Sequence, residues 1–475
     1  MSDSVLEQVY PRLPVFLQNA ACWYYGNREK RVRFGAAFDQ KLRELTDSEK
    51  WSAGEIEAYQ NEKLHALLRH AYENVPYYHE CWKSLKISPD DIHGRHDLYK
   101  LPVLTKEDVR QNADRLVSQN VSKRALFSRH TSGTTGKALH FFMTREAIAF
   151  QWAVWWRHRL RFGVGPGAWH ANFTGQRVVP ITQQRPPYWR WNRPMRQLLI
   201  NMQSLSPSRI ASIVERLNAQ HFDFYCGYPS FIHMLALNAT DAGLRLSSPP
   251  RVIFAGAENV LDFQRRDIEA FTGAILTDHY GCTEACANAS RCPQFVYHED
   301  FEFCILEGLE QEGLEQAPGD AVKNIVCTGF AGYAFPFIRY EVGDSAVWTT
   351  GETCSCGRQS STLRRIEGRR DDYIVTPEGA RIARLDYLFK DALNVKEAQI
   401  VQEKLGEISV LVVRRDAYGN RDELDIRRDI KTWLSPSLVV NFEYVNEIPR
   451  GANGKFRAVL SRLNAQSRTS EQVTH

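Results

Sequence analysis

The sequence predicts an α/β fold in which a large N-terminal domain, with mixed or parallel sheets and flanking helices, precedes a small α+β C-terminal domain. Three observations support this prediction. The chain has 475 residues, enough for about three average domains or for one large domain and a small one. Strand-like and helical runs alternate through the N-terminal part, as in sheets with parallel pairing. This alternation gives way to a different pattern near the C-terminus.

The alternation is clearest where helix starts and apolar strands can be assigned. Thr105 and the acidic residues after it predict the N-cap and first turn of a helix. Ser206-Pro207 predicts a second helix start, with apolar residues then recurring on one face. Apolar strands at 222–226 and 251–254 flank a helical stretch near 230–242.

The C-terminal part reads as a separate small unit. Residues 399–402 and 408–413 predict a hairpin, 422–434 a helix and 439–445 a further strand. Strands and helix are here grouped rather than regularly alternating, which favours an α+β domain.

Composition and charge exclude several classes of protein. The net charge of +4 is small for this length, so neither nucleic acid nor an anionic membrane is expected as the main partner. The N-terminus has no signal-peptide pattern, and no apolar run approaches the length of about 20 residues that a membrane span needs. The ten cysteines are therefore expected to be thiols or metal ligands in a cytoplasmic protein.

The most informative part of the sequence is the segment Thr131-Ser132-Gly133-Thr134-Thr135-Gly136-Lys137. Its glycines let the backbone approach a ligand closely, and its hydroxyl groups and Lys137 offer donors to phosphate oxygens. Only two residues separate the glycines, so the segment is not a Walker A loop. A polar hairpin turn is the alternative interpretation.

This segment resembles the glycine-rich ATP loop of the adenylate-forming superfamily, which includes acyl-CoA synthetases, peptide-synthetase adenylation domains and luciferases. Other segments resemble further motifs of that family and occur in the family's order. They are Ala255–Glu258, Asp278–Glu284, Pro336–Asp344, Arg365–Asp372 and Pro449–Lys455. The resemblance implies a large ATP- and acid-binding domain at 1–368, a hinge at 369–372 and a small mobile lid domain at 373–475.

The resemblance also implies roles for single residues around the nucleotide. The implied ATP- and AMP-binding residues are Thr131, Ser132, Gly133, Thr134, Thr135, Gly136, Gly256, Ala257, Glu258, Asp278, His279, Tyr280, Gly281, Thr283, Asp344, Arg365 and Arg369. Tyr280 would stack on adenine, Asp344 would bind both ribose hydroxyls and Thr283 would contact the α-phosphate. Glu284 would hold Mg²⁺. An aromatic face suits a purine and a carboxylate suits a hard cation.

Two further elements complete the implied site. The implied catalytic residues are Lys455, Glu284, Thr283 and Lys137. Lys455 would enter the site during adenylation, where an ammonium group can bridge the substrate carboxylate and the α-phosphate. Asp371 or Asp372 would be the pivot on which the small domain turns. No general base is required, because the attacking carboxylate is already ionised.

Other segments narrow the resemblance to one branch of the family. Residues 67–78 and 101–106 resemble the N-terminal region of phenylacetate–CoA ligases and their capsule-biosynthesis relatives. The capsule-type relatives also share the run Asn453 to Arg457. The resemblance extends over roughly residues 60 to 465.

Four residues form a candidate zinc set, which some members of this branch carry. They are Cys292, His298, Cys354 and Cys356. Three thiolates and an imidazole match a structural zinc site. The spacing is not that of a zinc finger, so unlinked buried thiols and a surface histidine remain the alternative. Cys286 is a substitute ligand in this prediction.

The implied reaction is ATP-dependent activation of a carboxylic acid to an acyl-AMP with release of pyrophosphate. Coenzyme A is the favoured acceptor, with a carrier-protein thiol or a sugar or amine acceptor as alternatives. A non-catalytic nucleotide-binding protein on the same fold, and an ordinary ATPase or kinase, are the rival classes. An aromatic acid is favoured only by analogy, and a homodimer is left open.

The acid pocket is expected between the segment 223–230, the turn 255–258 and the Trp-rich stretch after the phosphate loop. That stretch ends in Arg157-His158-Arg159. We expect these three residues to be exposed charges on a helix, with pairing to a polar acid as the alternative.

Overall fold

A twelve-stranded mixed sheet organises the N-terminal part of the protein in a computed structural model. The structure describes residues 9–130, 139–176, 178–180, 182–310, 321–349, 353–369, 373–377, 381–383, 388, 394–435, 437–450 and 456–463. The helices α1 to α10 within these ranges are Val15–Arg33, Ala36–Asp47, Ala53–Asn74, Pro76–Leu85, Lys106–Gln111, Arg145–Arg161, Ile210–Asn218, Pro229–Asp241, Asp262–Thr272 and Asn420–Trp433. None of these helices is long and apolar enough to cross a membrane.

The strands β1 to β20 include two short hairpins outside the main sheets, β1–β2 and β15–β16. In chain order the strands are Phe127–His130, His140–Met143, His170–Thr174, Arg190–Asn192, Gln197–Asn201, Phe224–Gly227, Val252–Ala255, Ile275–Gly281, Asn288–Arg291, Tyr297–Glu299, Cys304–Glu310, Val322–Gly329, Tyr340–Trp348, Thr362–Arg369, Tyr373–Val375, Arg381–Ala383, Val395–Lys404, Glu407–Arg414, Val439–Tyr444 and Val459–Ser461.

The main sheet changes direction at strand β8. Its strand order is 11-12-13-14-10-9-8-7-6-3-5-4, and β5, β3, β6, β7 and β8 pair in parallel. Strand β8 pairs with β7 in parallel through Ile275 to Asp278 and with β9 antiparallel through His279 to Gly281. The predicted α/β class with mixed sheets is thus confirmed. The motif that begins at Asp278 lies where the two pairing modes meet.

Local sequence signals locate most elements well. The Thr105 hydroxyl accepts a hydrogen bond from the Asp108 amide at the start of α5, as predicted. The helix predicted to start at Ser206-Pro207 begins later, at Ile210. The Ser206 hydroxyl lies 3.3 Å from Ser208 Oγ, and a turn precedes the helix, so Ser206 does not act as the N-cap.

The C-terminal part has its own sheet and its own core. Strands β19, β18, β17 and β20 form a four-stranded sheet in that order, and α10 packs on it. The buried apolar cluster of this part includes Ile400, Val410, Ile426 and Ile430, and its members lie between residues 374 and 459. The α+β character predicted for this part is confirmed. The domain limits stay a prediction, since residues 370–372 of the hinge lie outside the described residues.

Helix α6 is fixed to the sheet by a buried cluster of charges. The Arg157 guanidinium donates to Asp300 Oδ1 at 2.6 Å and to the two Glu302 oxygens at 2.5 and 3.0 Å. Arg161 donates to Glu49 at 2.5 Å. Burial alone would raise the pKa of Asp300, but the guanidinium groups of Arg157 and Arg161 hold it well below its usual range. The expectation that Arg157 is exposed is therefore wrong, because its charge is satisfied by acids distant in sequence. It is also wrong for His158, which is buried, while Arg159 is half-buried.

Replacing Arg157 by methionine should lower the free energy of unfolding by about 3–5 kcal/mol at neutral pH, because two buried carboxylates lose their partner. The matched control is Arg428→Met, whose pair with Asp425 at 2.7 Å is largely exposed and should be worth less than about 1 kcal/mol. Denaturant unfolding measures both. Since the pKa of Asp300 is lowered, its contribution to the free energy of unfolding is present above about pH 4 and is lost as the pH falls below that value. Equal effects of the two variants would contradict the prediction.

Candidate active site

A cavity of about 1830 Å³ opens at the carboxyl ends of the parallel strands. Its wall contains the described part of the predicted nucleotide site, namely Gly256, Ala257, Glu258, Asp278, His279, Tyr280, Gly281, Thr283, Glu284, Asp344 and Arg365. Residues 456–459 of the C-terminal part also line it. Segments separated by up to two hundred residues in the sequence thus meet around one cavity.

The turn after β7 presents backbone to this cavity. Ala257 has a φ of +68°, a conformation that non-glycine residues rarely adopt. The Gly256 amide donates to the Gly227 carbonyl at 3.1 Å, which ties the turn to the end of the neighbouring strand β6. A strained turn held in this way can lie flat against a planar ligand, as expected for an adenine-binding turn.

Glu258 connects the same turn to the C-terminal part. Its carboxylate accepts hydrogen bonds from the Ser230 amide at 3.2 Å and from the Phe456 amide at 2.6 Å. Burial raises the pKa of Glu258, and the two amide donors act against this rise. The side chain of Glu258 therefore accepts hydrogen bonds from two backbone amides of the protein. The backbone of the turn itself faces the cavity.

Tyr280 and Asp344 form a pair across the cavity wall. The Tyr280 hydroxyl donates to Asp344 Oδ2 at 2.9 Å, and burial raises the pKa of Tyr280, so the phenol stays a donor. Gly343 precedes Asp344 with a φ of +85°. A Cβ at Gly343 would lie 2.9 Å from the Lys106 ammonium. The two residues predicted to bind adenine and ribose are thus oriented together.

The carboxylate of Glu284 accepts a hydrogen bond from the first residue of β13. Tyr340 donates to Glu284 Oε1 at 2.9 Å, and Glu284 is largely buried on the cavity wall. A buried carboxylate at the edge of an open cavity is a suitable ligand for Mg²⁺. Thr283 lies beside it on the same wall.

Three other predicted nucleotide residues lie on the wall, and two of them are engaged with charged or polar protein groups. Asp278 forms an ion pair with Arg291 at 2.8 Å and accepts a hydrogen bond from Tyr297. Arg365 pairs with Glu367. Burial lowers the pKa of His279 to about 4, so its ring is neutral at physiological pH. The side chains of Asp278 and Arg365 thus line the cavity and also hold neighbouring parts of its wall together through ion pairs.

Several predicted residues lie outside the described residues. They are Thr131, Ser132, Gly133, Thr134, Thr135, Gly136, Lys137, Asp371, Asp372 and Lys455. The backbone of Arg369 pairs with that of Asp344 in the β13–β14 ladder. The side chain of Arg369 is not among the described parts of the chain.

The four predicted zinc ligands lie together at the end of the β9–β10 hairpin. The ligand atoms of Cys292, His298, Cys354 and Cys356 are all within 4.8 Å of one another. Cys292 Sγ lies 3.7 Å from Cys354 Sγ, close to the edge of about 3.8 Å that thiolates about 2.3 Å from a tetrahedral zinc would make. Cys356 Sγ lies 3.3 Å from His298 Nε2.

The protonation of His298 also suits a metal ligand. Burial lowers the pKa of His298 to about 4, and the nearby Arg358 charge acts in the same direction. A neutral imidazole is the form that binds a metal. Cys286 is not part of this set, because its sulfur lies 3.5 Å from Cys282 Sγ and 3.3 Å from Cys327 Sγ in a separate thiol cluster.

Comparison with known proteins gives consistent matches. Residues 374–462 match the family model of the CapK C-terminal domain. CapK of Staphylococcus aureus is 24% identical over 463 residues, covering 97% of this chain and 100% of CapK. Phenylacetate–coenzyme A ligase of Thermus thermophilus is 24% identical, covering 85% of this chain and 96% of that protein. The crystal structure of a 2-hydroxyisobutyryl-CoA ligase superposes with a TM-score of 0.69 at 20% identity, over 89% of this chain and 93% of that one.

The fold, the cavity and these matches define an adenylate-forming enzyme. Within that superfamily, the chain is similar to CapK and to the phenylacetate–CoA ligases. The resemblance predicted from the sequence is therefore confirmed.

Sequence reasoning did not single out several residues that shape the site. Tyr340 orients Glu284, Arg291 neutralises Asp278, and Lys106 lines the cavity. Arg159, for which pairing to a polar acid was the alternative interpretation of the sequence, lines the cavity as well. Tyr340 lies within a segment that resembles a family motif, so its position was visible in the sequence. The hydrogen-bond partner of Tyr340 was not.

A series at Tyr280 tests the nucleotide site. Tyr280→Phe keeps the ring and loses the hydrogen bond to Asp344, so ATP should bind roughly fivefold more weakly. Tyr280→Ala also loses the stacking face and should weaken binding by a further factor of roughly ten or more. Isothermal titration with ATP and Mg²⁺ measures both, and Tyr24→Ala, on the exposed face of α1, is the control. Wild-type affinity in Tyr280→Ala would contradict the assignment.

Proposed function

We propose that this enzyme activates a carboxylic acid with ATP as an acyl-AMP, releases pyrophosphate, and then transfers the acyl group to a thiol acceptor. The observation that carries the proposal is the wall formed by Tyr280, Asp344 and Glu284, which places an aromatic face and two carboxylates around one cavity. Coenzyme A is the proposed acceptor, because the phenylacetate–coenzyme A ligase among the relatives bears that activity in its name.

The residues act by positioning and by charge compensation rather than by acid–base chemistry. Tyr280 and Asp344 would hold adenine and ribose, while Thr283 would bind the α-phosphate. Glu284 would hold Mg²⁺, which neutralises phosphate charge when bound. The Thr131–Lys137 segment would bind the leaving pyrophosphate. The acid's carboxylate is itself the nucleophile, and the bond between the α- and β-phosphates breaks as the acyl–phosphate bond forms.

The C-terminal part would supply the catalytic lysine. Phe456, the residue after Lys455, lines the cavity and donates its amide to Glu258. Arg415 of the same part forms an ion pair with Asp267 at 2.7 Å. These contacts support an arrangement in which residue 455 belongs to the adenylation site. We propose that rotation at 369–372 then withdraws Lys455 and admits the acceptor, as in other hinged enzymes.

Lys455→Ala should retain ATP binding and lose acyl-AMP formation by a factor of roughly a hundred or more, because the developing charge loses its counter-ion. Acid-dependent exchange of labelled pyrophosphate into ATP measures this step. Lys404→Ala, an exposed lysine of the same part, is the control and should behave as wild type. Near-wild-type exchange in Lys455→Ala would refute the role of Lys455, and turnover of ATP to ADP would favour an ATPase or kinase instead.

We also propose that Cys292, His298, Cys354 and Cys356 bind a structural zinc ion. Their mutual distances and the neutral His298 support this proposal. The set lies apart from the nucleotide cavity, and its ligands belong to two chain segments, 292–298 and 354–356. Zinc bound there would join the β9–β10 hairpin to the segment before β14.

Metal analysis should find about one zinc per chain in protein purified without chelator, and much less in Cys354→Ser, because one of the four ligands is lost. Cys354→Ser should also lower the melting temperature. Cys81→Ser, a half-buried thiol outside the set, is the control for the loss of a sulfur and should keep its zinc. Metal-free wild-type protein with an unchanged melting temperature would rule out the site.

A further inference from the structure

Arg159, in the last turn of α6, lies on the wall of the same cavity among aromatic rings. Its guanidinium carbon lies 4.6 Å from the ring centre of Trp156, 5.3 Å from that of Phe224 and 5.9 Å from that of Phe254. Contacts of this kind hold the planar guanidinium by cation–π attraction and leave its N–H groups available for an anion.

The charge of Arg159 has no counter-ion in the described part of the chain. Arg157 and Arg161, on the same helix, each pair with buried carboxylates. No described carboxylate oxygen lies within 4.0 Å of the Arg159 guanidinium. By contrast, Asp300 lies 2.6 Å from the Arg157 guanidinium and Glu49 lies 2.5 Å from that of Arg161. Arg159 is half-buried, and a charge partly removed from water without a partner is costly. The absence of an acid beside Arg159 therefore needs a reason.

The other titratable groups that face Arg159 do not compensate it. Burial raises the pKa of the Cys226 thiol to about 11, and burial lowers the pKa of His170 to about 3 and that of His279 to about 4. All three side chains are thus neutral at physiological pH. The remaining charged neighbour, Arg33, is itself a cation paired with Glu29.

The position of Arg159 relative to the nucleotide turn is set by strand β7. Phe254 lies two residues before Gly256 on the chain, which corresponds to about 7 Å along a strand. Arg159 therefore lies near the turn at Gly256, beside Trp156 and Phe254, which also line the cavity. An acid whose carboxylate reaches the α-phosphate would extend its opposite end toward this region.

We propose that Arg159 binds a second anionic group of the acid substrate. The substrate class is then a carboxylic acid that carries another acidic group at the far end of an aromatic or apolar body. The guanidinium fork pairs with a carboxylate through two parallel hydrogen bonds, and the desolvated site strengthens that pair. This inference rests on the proposed function, because it assigns the rest of the cavity to ATP and the reacting carboxylate.

The experiment compares acids that share a body and differ in a second carboxylate group. The probe pairs are phenylacetate with 4-carboxyphenylacetate, and hexanoate with adipate. Each is tested on wild type, Arg159→Met, Arg159→Lys and the control Arg216→Met, whose guanidinium lies 5.1 Å from the Trp191 ring but outside the cavity. Thermal stabilisation in the presence of ATP and Mg²⁺ reports binding, and pyrophosphate release with formation of AMP reports turnover.

Wild type should prefer the diacid of at least one pair by roughly tenfold or more. Arg159→Met should lose this preference while its KM for ATP is unchanged, and Arg216→Met should keep it. If Arg159→Met does not fold, Arg159→Lys decides, since it keeps the charge without the fork and should show a reduced preference. A wild-type enzyme that binds monoacids as well as diacids overturns the inference, as does an unchanged preference in the folded Arg159 variants.

The two proposals fail in different ways. Monoacids that yield AMP and pyrophosphate, without any effect of Arg159, leave the proposed function standing and overturn the inference. Diacids that stabilise the protein through Arg159 but yield neither product support the inference as a binding site and count against the proposed function.

Discussion

The buried ion cluster around Arg157 is the interaction on which the rest of the site depends. It joins α6, one wall of the cavity, to the segment that carries Asp300 and Glu302. Glu49 extends the cluster, because it accepts from Arg161 at 2.5 Å and from Arg358 at 2.8 Å. Arg358 follows the Cys354–Cys356 turn directly in the sequence. Helix α6 and the Cys–His set are thus connected through fully charged hydrogen bonds in a region of low dielectric.

A second coupling joins the N-terminal sheet to the C-terminal part through Glu258. Burying a carboxylate is costly unless hydrogen-bond donors compensate it, and here the Phe456 amide is one of the two donors. Any rotation that removes residue 456 takes away that donor and leaves the carboxylate less well satisfied. The hydrogen bonding of the turn after β7 therefore depends on where the C-terminal part lies, and in the proposed function this would couple the position of the lysine to the nucleotide contact.

Sequence reasoning located the parts of the site that depend on local chemistry. The turn at Gly256 and the motif from Asp278 to Glu284 follow apolar strands, and parallel strands bring their ends together. The Cys354-Ser-Cys356 turn was recognisable for the same local reason. The sequence could not show that Arg157 is buried, because its acids lie more than 140 residues away. Periodicity places a residue on a helix face but does not identify what lies opposite that face.

The two regions that the proposed function assigns within the cavity would differ in what they discriminate. The proposed nucleotide region consists of backbone turns and the Tyr280–Asp344 pair, and these groups would recognise features common to every ATP molecule. The proposed acid region combines tryptophan rings with the Arg159 charge. An aromatic wall alone separates acids weakly, because added apolar area changes affinity by small factors for each group. A charge without a counter-ion separates them more strongly, because a neutral ligand would leave the guanidinium unpaired. In the proposed function, selectivity for the acid would therefore depend on Arg159 more than on the rings that hold it.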